Sequence, residues 1–362
     1  MRKYVTLGDV CIKGSSNIAQ KDIENNNGIY AIYGASGYIK NVNFYHQDKP
    51  YIAVVKDGAG IGRTMLLPEK TSVIGTLQYL IPNDSVSVKY LYYAVTYMNL
   101  SKYFTGATIP HIYFKDYRKE LLPLPPMEKQ QEIADSLEKV DAVTGLCNSI
   151  MEKMDVLVKS RFVDMFGDND DWRIVSIEDI CSDMRTGPFG SALHHDEFVE
   201  DGIFVLGIDN AVENKFSYNR MRYITEEKYQ KLKRYTVKPL DVIITIMGTV
   251  GRSAVIPKDI PLAINTKHLA CLTLKSELAD PYFIANAFQI HPEIIAQMRM
   301  NSKGAIMDGL NLTIIKHLKF KLPPLNLQQS FAAFVQKIDK SKWVCSHMML
   351  YIEILLRKER IL

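Results

Sequence analysis

The chain has 362 residues, of which 47% are hydrophobic and 23% are charged, and its formal net charge is +4. This is the composition of a globular protein long enough for two domains, and so small a net charge neither requires nor excludes a nucleic-acid partner. Because no apolar run has the length of a signal peptide or a membrane span, and the five cysteines are scattered without a CxxC pair, we expect a reducing, cytoplasmic setting and no membrane partner.

The first predicted unit covers residues 1–122 and carries 14 Lys and Arg against 9 Asp and Glu. Its clearest strand, YIAVV, runs into the glycine-rich text DGAGIGRT, which ends in Gly62 and Arg63. A polar segment, YGASGYIK (33–40), interleaves tyrosine with lysine and glycine. Glycine lets backbone N–H groups approach a phosphate closely, and arginine pairs bidentately with phosphate or guanine.

A long helix is predicted next, over residues 123–167. The text LPLPPMEKQQEIADSLEKVD begins at Leu122, and its paired prolines exclude an earlier helix start because proline fixes φ and disfavours helical geometry in the preceding residue. Beyond them, apolar or small residues recur at alternating steps of four and three from Ile133 to Val158. This spacing forms one narrow stripe, as in a left-handed coiled coil.

The second predicted unit covers residues 168–320 and carries 18 Lys and Arg against 20 Asp and Glu. A strand, DVIITI, again runs into a glycine-rich loop closed by Gly-Arg, at Gly251 and Arg252. Three further segments carry candidate polar contacts: RTGPFGSALHH (185–195), NRMRYITEEKYQKLKRY (219–235) and NTKH (265–268). The middle one resembles a solvated basic helix and loop.

The last predicted element, a helix over residues 321–362, is a copy of the first. Shifting the chain by 198 residues aligns LPLPPMEKQQ with FKLPPLNLQQ, and a shift of 170 aligns VTLGDVC (5–11) with VSIEDIC (175–181). The stripe keeps its register and also its polar interruptions, at Thr144 and Lys342. The chain is therefore predicted to be a tandem duplication with inserts of different size.

The two stripes are expected to face each other. A helix from Glu128 to Phe166 is roughly 57 Å long at about 1.5 Å per residue. It cannot bury its stripe inside a small domain. Because the first helix leads to the second unit and the second helix returns, an antiparallel pair is expected. In the alternative, each helix lies on its own domain.

Two divergent units, each followed by a Pro-Pro and Gln-Gln junction and a long helix, resemble the specificity (S) subunit of Type I restriction-modification systems. The resemblance covers the whole chain and includes SRFVDMFGD (160–168), GTVGRSAVIP (248–257) and INTKHLACL (264–272). It implies an α/β (α+β) fold with two target recognition domains in a pseudo-twofold arrangement, joined by two long antiparallel coiled-coil helices.

The resemblance also implies a function. The chain would be a non-catalytic subunit that binds a bipartite, asymmetric site in double-stranded DNA, each domain reading one half. The helical regions would set the gap and dock modification (methyltransferase) subunits, two in number, together with restriction motor subunits. No cofactor is expected on this chain, and S-adenosylmethionine is expected on the modification subunit.

The candidate DNA-binding residues lie in or beside the glycine-rich and basic segments. They are Ser36, Gly37, Tyr38, Lys40, Lys56, Arg63, Arg185, Gly187, Phe189, Gly190, Ser191, Arg220, Arg222, Thr249, Arg252, Lys267 and His268. Three other interpretations remain open. The loops could serve only as plain turns, the arginines as strand-end charges paired to a local carboxylate, and NTKH as a source of core hydrogen bonds.

The candidate residues for helix pairing and partner contact follow the stripes and their junctions. They are Gln130, Gln131, Ile133, Leu137, Val140, Met151, Met154, Gln328, Gln329, Phe331, Val335, Ile338, Met349 and Ile352. No catalytic or metal-binding constellation is predicted, since DGAGIGR lacks the third glycine of a dinucleotide fingerprint and the adjacent His194 and His195 lack a third ligand. Two rival functions remain, a protein-binding scaffold with paired domains and an enzyme that binds a nucleotide at its glycine-rich loops.

Overall fold

A computed structural model describes residues 4–106, 110–167, 171–302 and 309–358, with only the backbone described for Ser191, 301–302 and 355–358. The 198-residue shift also aligns GATIPHIY (106–113) with GAIMDGLN (304–311), and both segments lie partly outside the described residues. The chain divides into two compact units, Met1–Asn148 with Ser346–Leu362, and Ser149–Cys345. Each unit thus contains one predicted domain and parts of both long helices.

The first unit is built from three small sheets and four helices. The strands are β1 (Tyr4–Thr6), β2 (Cys11–Ser15), β3 (Tyr30–Gly34), β4 (Gly37–Val42), β5 (Tyr51–Val55), β6 (Thr64–Leu67), β7 (Ser72–Val73), β8 (Leu77–Pro82) and β9 (Leu121–Pro123), and the helices are α1 (Leu7–Val10), α2 (Val88–Tyr97), α3 (Phe114–Tyr117) and the start of α4 (Met127–Phe166). The strand orders in the sheets are β2-β8-β5-β6, β4-β3-β7 and β1-β9.

The second unit repeats this topology strand for strand. The strands are β10 (Ile174–Ser176), β11 (Cys181–Thr186), β12 (Ile203–Leu206), β13 (Tyr223–Ile224), β14 (Val242–Thr245), β15 (Ser253–Val255), β16 (Ala263–Asn265), β17 (Leu269–Leu274) and β18 (Lys319–Lys321), and the helices are α5 (Glu226–Leu232), α6 (Pro281–Ile290), α7 (Pro292–Ser302), α8 (Leu312–His317) and α9 (Leu325–Lys358). The strand orders in the sheets are β11-β17-β14-β15, β13-β12-β16 and β10-β18. The predicted tandem duplication and mixed α/β class are confirmed.

The two predicted strands that precede the glycine-rich loops, β5 and β14, are central and buried. Every residue of both is buried, because each strand has a hydrogen-bonded neighbour on both sides and apolar side chains on both faces. Ile52 and Val54 join one hydrophobic cluster while Tyr51, Ala53 and Val55 join another. A continuous apolar run is the pattern of such a strand.

The copies VTLGDVC and VSIEDIC form the same turn. The Thr6 N–H and hydroxyl both donate to the Asp9 carboxylate, at 2.8 and 2.7 Å. The Ser176 N–H and hydroxyl donate to Asp179 at the same two distances. These bonds lower the pKa of both carboxyl groups.

Helix α4 is anchored to the first domain by a buried glutamine in its fourth position. Gln130 accepts a hydrogen bond from the Ser87 N–H (2.8 Å) and donates to the carbonyl oxygens of Ser85 (3.1 Å) and Pro125 (2.9 Å). Ser87 is the N-cap of α2. The glutamine side chain therefore ties the start of α4 to the start of α2, and its three partners are all backbone groups.

Helix α9 repeats this anchor with the same three bonds. Gln328 accepts from the N–H of Asp280 (3.0 Å), the N-cap of α6, and donates to the carbonyl oxygens of Leu278 (3.0 Å) and Pro323 (2.7 Å). The assignment of Gln130 and Gln328 to the helix pair was wrong, because their amides bond to backbone groups of the domain and junction that precede their helix. The second glutamine of each pair, Gln131 or Gln329, is exposed.

The predicted stripes match the burial of the two helices. The stripe residues are at least half-buried while most of their neighbours are exposed: Ile133, Leu137, Val140, Thr144, Cys147, Met151, Met154 and Val158 in α4, and Phe331, Val335, Ile338, Lys342, Cys345, Met349 and Ile352 in α9. The four-and-three register is therefore confirmed.

Contacts within the second unit show that the helices run antiparallel. Phe331 near the start of α9 lies 5.4 Å from Phe162 near the end of α4, between ring centroids. Further along α9, Lys342 forms an ion pair with Asp155, which comes earlier in α4. The partner position in α4 thus decreases as α9 advances.

The beginning of each stripe contacts a domain core. Leu137 belongs to the hydrophobic cluster of the first domain, and Ile133 and Ala134 lie in or against it. Phe331 and Val335 belong to the cluster of the second domain. Helix pairing and packing of each helix on its own domain, which the sequence presented as alternatives, therefore both occur.

The glutamine anchors should contribute strongly to stability. Replacing Gln328 with leucine leaves one N–H and two carbonyl groups without their partner, and each buried unsatisfied group costs about 1–3 kcal/mol. We expect Gln328→Leu to lower the free energy of unfolding by about 3 kcal/mol or more, measured by urea denaturation. Gln329→Leu, at the exposed neighbour, should change it by less than about 0.5 kcal/mol; equal losses would contradict the anchoring role.

No helix in the described ranges is both long and apolar enough to cross a membrane.

Candidate nucleic-acid interface

Several loops of the first unit meet at one edge of its sheets. Strands β3 and β7 are parallel, so both end there, and the central strand β5 ends at Val55, opposite Leu77. Backbone hydrogen bonds join the loops that follow: Lys56 N–H to Thr76 O (3.0 Å) and Gly75 N–H to Ile18 O (2.7 Å). The glycine-rich loop is therefore part of a continuous loop edge.

The glycine-rich loop of the first unit, residues 56–63, connects β5 to β6. Gly58, Gly60 and Gly62 have φ values of 86°, 95° and 81°, in the region that L-residues rarely adopt. A Cβ at Gly62 would lie 2.6 Å from the Ser101 nitrogen, so that position also requires close backbone approach. Arg63 follows directly and donates to the carbonyl of Ala35 at 3.1 Å, which joins this loop to the β3–β4 turn.

The β3–β4 turn carries three of the sequence candidates at this edge. Ser36 is exposed, Gly37 has φ 112°, and the Tyr38 side chain is 59% exposed. Lys40 lies further along β4 and donates to the carbonyl of Glu24 at 3.0 Å.

A histidine that the sequence analysis did not single out also lies at the glycine-rich loop. His111 Nδ1 lies 2.6 Å from the Asp57 carboxylate, whose other oxygen pairs with Lys56 at 3.1 Å. The His111 ring stacks on Tyr113, with centroids 6.3 Å apart. No local sequence pattern could reveal this contact, because His111 follows Asp57 by 54 residues.

The second unit has the same loop edge. Strands β12 and β16 are parallel and end together at Leu206 and Asn265, while β14 ends at Thr245, opposite Leu269. Backbone bonds again join the following loops: Ile246 N–H to His268 O (2.9 Å) and Thr266 N–H to Leu206 O (2.9 Å).

The two glycine-rich loops close in the same way. In the first, Val55 N–H donates to Arg63 O and Gly62 N–H to Val55 O; in the second, Thr245 N–H donates to Arg252 O and Gly251 N–H to Thr245 O, all at 2.8–2.9 Å. Thr249 supplies a backbone carbonyl that accepts from the Thr245 hydroxyl. Arg252 is exposed, so each unit presents an arginine at the same position of an equivalent loop.

Further cations gather beside the second loop around one carboxylate. Asp209 accepts from Arg222 (2.5 Å) and lies 3.9 Å from Arg220, whose side chain is 74% exposed. Burial lowers the pKa of His268, and the positive charges of Lys267 and Arg222 act in the same direction. A nearly neutral domain therefore carries a local cluster of positive charge at its loop edge.

Two sequence candidates are corrected by the structure. The Arg185 guanidinium is buried and bonds to Asp241 (2.5 Å), Asp183 (2.5 Å) and the Thr236 carbonyl (2.8 Å), so it stabilises the interior and is not available to a ligand. Gly187 is buried, and a Cβ there would lie 2.1 Å from the Asn265 carbonyl oxygen. Its role is close packing of two loops.

The loop after Gly187 remains at the surface. Phe189 is 54% exposed and Gly190 has φ 58°. The Ser191 side chain lies outside the described part of the structure. This loop follows the end of β11 at Thr186, which pairs with Ala270 beside the same edge.

The side chains at these two loop edges are of the types that bind a polyanion or a nucleobase. Exposed arginine and lysine bind phosphate, arginine also pairs with guanine, and aromatic or apolar side chains contact base faces and methyl groups. Within the ranges 4–106, 110–167, 171–302 and 309–358, no group of three His, Cys, Asp or Glu side chains is arranged to hold a metal ion.

Curated relatives share this organisation in sequence. The chain is 23% identical over 313 residues to the Type I restriction enzyme MjaVIII specificity subunit of Methanocaldococcus jannaschii, covering 80% of this chain and 72% of that protein. It is 21% identical over 289 residues to the EcoBI specificity subunit of Escherichia coli, covering 71% of this chain and 60% of that protein.

Solved structures share the fold over nearly the whole length. The crystal structure of a Type-I restriction-modification system S subunit from M. genitalium matches with a TM-score of 0.66 and 15% identity, covering 99% of this chain and 94% of that one. A structure from work on complex assembly and conformational transition of the type I R-M system matches with a TM-score of 0.56 and 14% identity, covering 99% and 95%.

The family match covers both copies of the duplication separately. The Type I restriction modification DNA specificity domain matches residues 2–154 and again residues 169–343. The chain therefore belongs to the Type I restriction modification DNA specificity domain family.

Proposed function

We propose that the two loop edges each read one half of a bipartite, asymmetric DNA site. The observation that carries this proposal is the duplicated glycine-rich loop, which presents Arg63 in one unit and Arg252 in the other after the same backbone turn. As a member of its family the chain is a DNA-recognition subunit of a Type I restriction-modification system and not its catalytic one.

The two edges favour different half-sites because the side chains around the equivalent arginines differ. In the first unit the neighbouring turn supplies Tyr38, and Arg63 is held by the Ala35 carbonyl. In the second unit Arg252 is accompanied by Lys267 and by Arg222, which is oriented by Asp209. Base edges are distinguished by such differences in donors and acceptors, while phosphate contacts set position.

Alanine substitution of Arg252 tests this proposal. Base pairing by an arginine contributes about 1–3 kcal/mol of discrimination, so Arg252→Ala should relax one base position in one half-site and leave the other half-site unchanged. The measurement is the methylated motif in cells that express the variant with the modification subunit. A uniform loss of affinity with an unchanged motif would instead indicate a phosphate contact.

The outer faces of the long helices support two equivalent partner sites. Leu146 and Val156 in α4 are each 61% exposed, and their counterparts 198 residues later, Val344 and Ile354 in α9, are 58% and 51% exposed. Exposed apolar side chains repeated on a helix face are typical of a protein-binding surface.

We therefore propose that each helix docks one modification subunit, which binds S-adenosylmethionine and methylates adenine, and that restriction motor subunits join this complex. Because the proposed ligand is cellular DNA, the proposed compartment is the cytoplasm. Native mass spectrometry of the complex should show two modification subunits per chain. A single subunit that persists in excess modification protein would contradict the two-site proposal.

A further inference from the structure

Helix α6 connects the start of α9 to the arginine loop of the second unit. At its N-terminal end, the N-cap Asp280 donates its N–H to Gln328 of α9 (3.0 Å). At its C-terminal end, the Gln289 amide nitrogen, Nε2, donates to the Gly251 carbonyl (2.8 Å) and to the Ser253 hydroxyl (2.8 Å). These two residues are the immediate neighbours of Arg252.

The contact at the loop is reinforced by the strand that follows it. The Ser253 hydroxyl, which accepts from Gln289, donates to the carbonyl of Ala285 in the middle of α6 (2.6 Å). Both flanks of Arg252 are thus bonded to the same helix.

Helix α2 makes the equivalent connection in the first unit with different residues. Its N-cap, Ser87, donates to Gln130 of α4 (2.8 Å). Near its other end, Thr96 donates its hydroxyl to the Tyr92 carbonyl (2.7 Å) and lies 2.6 Å from the hydroxyl of Thr64, the residue after Arg63. Since the Thr96 hydrogen is used by Tyr92, the Thr64 hydroxyl donates to Thr96.

We propose that α2 and α6 are struts that hold each arginine loop at a fixed position relative to the start of its long helix, with Thr96 and Gln289 as the positioning residues. This inference rests on the proposed role of Arg63 and Arg252 in reading DNA. It follows from two independent sets of contacts that join the same three elements through different side chains.

The arginine loops need such a support because their glycines allow many backbone conformations. Glycines at 248 and 251, with φ values of 73° and 84°, leave the backbone more accessible conformations than other residues would. Base discrimination depends on the exact placement of a bidentate donor. A ten-residue helix, about 15 Å long at about 1.5 Å per residue, transmits the position of the buried junction to the loop.

The test uses the full chain in complex with its modification subunit. Binding is measured to the DNA target, taken from the methylated motif, and to duplexes that carry one altered base pair in either half-site. Gln289→Met, which keeps the length of the side chain and removes its donors, should lower discrimination in one half-site by roughly tenfold, the lower end of the range for one arginine–base contact. Binding to the other half-site should keep its discrimination.

A double substitution separates positioning from general stabilisation. If Gln289 acts through Arg252, Gln289→Met should cause no additional loss in an Arg252→Ala background. The matched control is Gln297→Met, because Gln297 hydrogen-bonds the backbone of Lys319 in the same unit and should leave discrimination unchanged. Thermal unfolding of each variant shows whether it is folded.

The first unit supplies a pair of variants that change the side chain less. Thr96→Val removes the hydroxyl at nearly constant volume and should lower discrimination in the half-site that Arg63 reads, whereas Thr96→Ser keeps the hydroxyl and should preserve it. If Arg252→Ala reduces discrimination while Gln289→Met and Thr96→Val do not, the strut inference is wrong and the proposed function stands. If Arg252→Ala and Arg63→Ala leave discrimination unchanged, both are wrong.

Discussion

Inserting four residues after Val140 should produce a protein that prefers a DNA site with a gap longer by one or two base pairs and with both half-sites unchanged. Four residues turn the downstream helix by about 400° and lengthen it by about 6 Å, so the stripe returns nearly to its original face. About 6 Å is close to the length of two base pairs, at about 3.4 Å each. The expected change is therefore in spacing and not in sequence preference.

A two-residue insertion at the same place is the control. It turns the helix by about 200°, which moves the stripe from Thr144 onward to the opposite face and should abolish a stable complex. Sequencing the methylated sites of both strains measures the outcome. An active four-residue variant that keeps the original gap would show that the helices do not act as the ruler.

The features that the sequence predicted best are local and repeated. The stripe from Ile133 to Val158 depends on helical periodicity alone, and its burial matches the prediction position by position. The central strands were also predictable, because YIAVV and VIIT are continuous apolar runs that end at glycine-rich loops. The duplication then gave each of these predictions a second instance.

The features that could not be predicted depend on partners far along the chain. Arg185 and Arg252 each precede a small polar residue, yet the Arg185 guanidinium is buried because Asp241, 56 residues later, lies beside it. The local sequence does not reveal this distant partner.

The glutamine pairs illustrate the same limit. Their repetition is visible in the sequence, but the bonds of Gln130 to Ser85 and Ser87 reach back more than 40 residues. The third bond, to the Pro125 carbonyl, is also not visible in the sequence. Periodicity predicts which face of a helix is buried and does not predict which groups hold its end.

Exchanging the first domain for that of another family member, with the junction at Pro125–Pro126, should change one half of the recognised site completely. The structure favours this exchange because Gln130 bonds only to backbone groups of the first domain and the junction, at Ser85, Ser87 and Pro125. A foreign domain with the same backbone turn can therefore form the same three bonds, provided that its apolar residues also cover Ala134 and Leu137. Its loop edge would replace that of Arg63, while the loop edge of Arg252 stays as it is.

The central claim is that the two domains read DNA independently through equivalent loop edges, and the methylated motif of the domain-exchange strain tests it most directly. The strain is compared with one that carries the original chain and one that lacks the gene, using the same modification subunit. The account predicts an asymmetric, bipartite motif that is absent without the gene and in which only one half-site changes after the exchange. A motif in which both halves change together, or neither does, would contradict it.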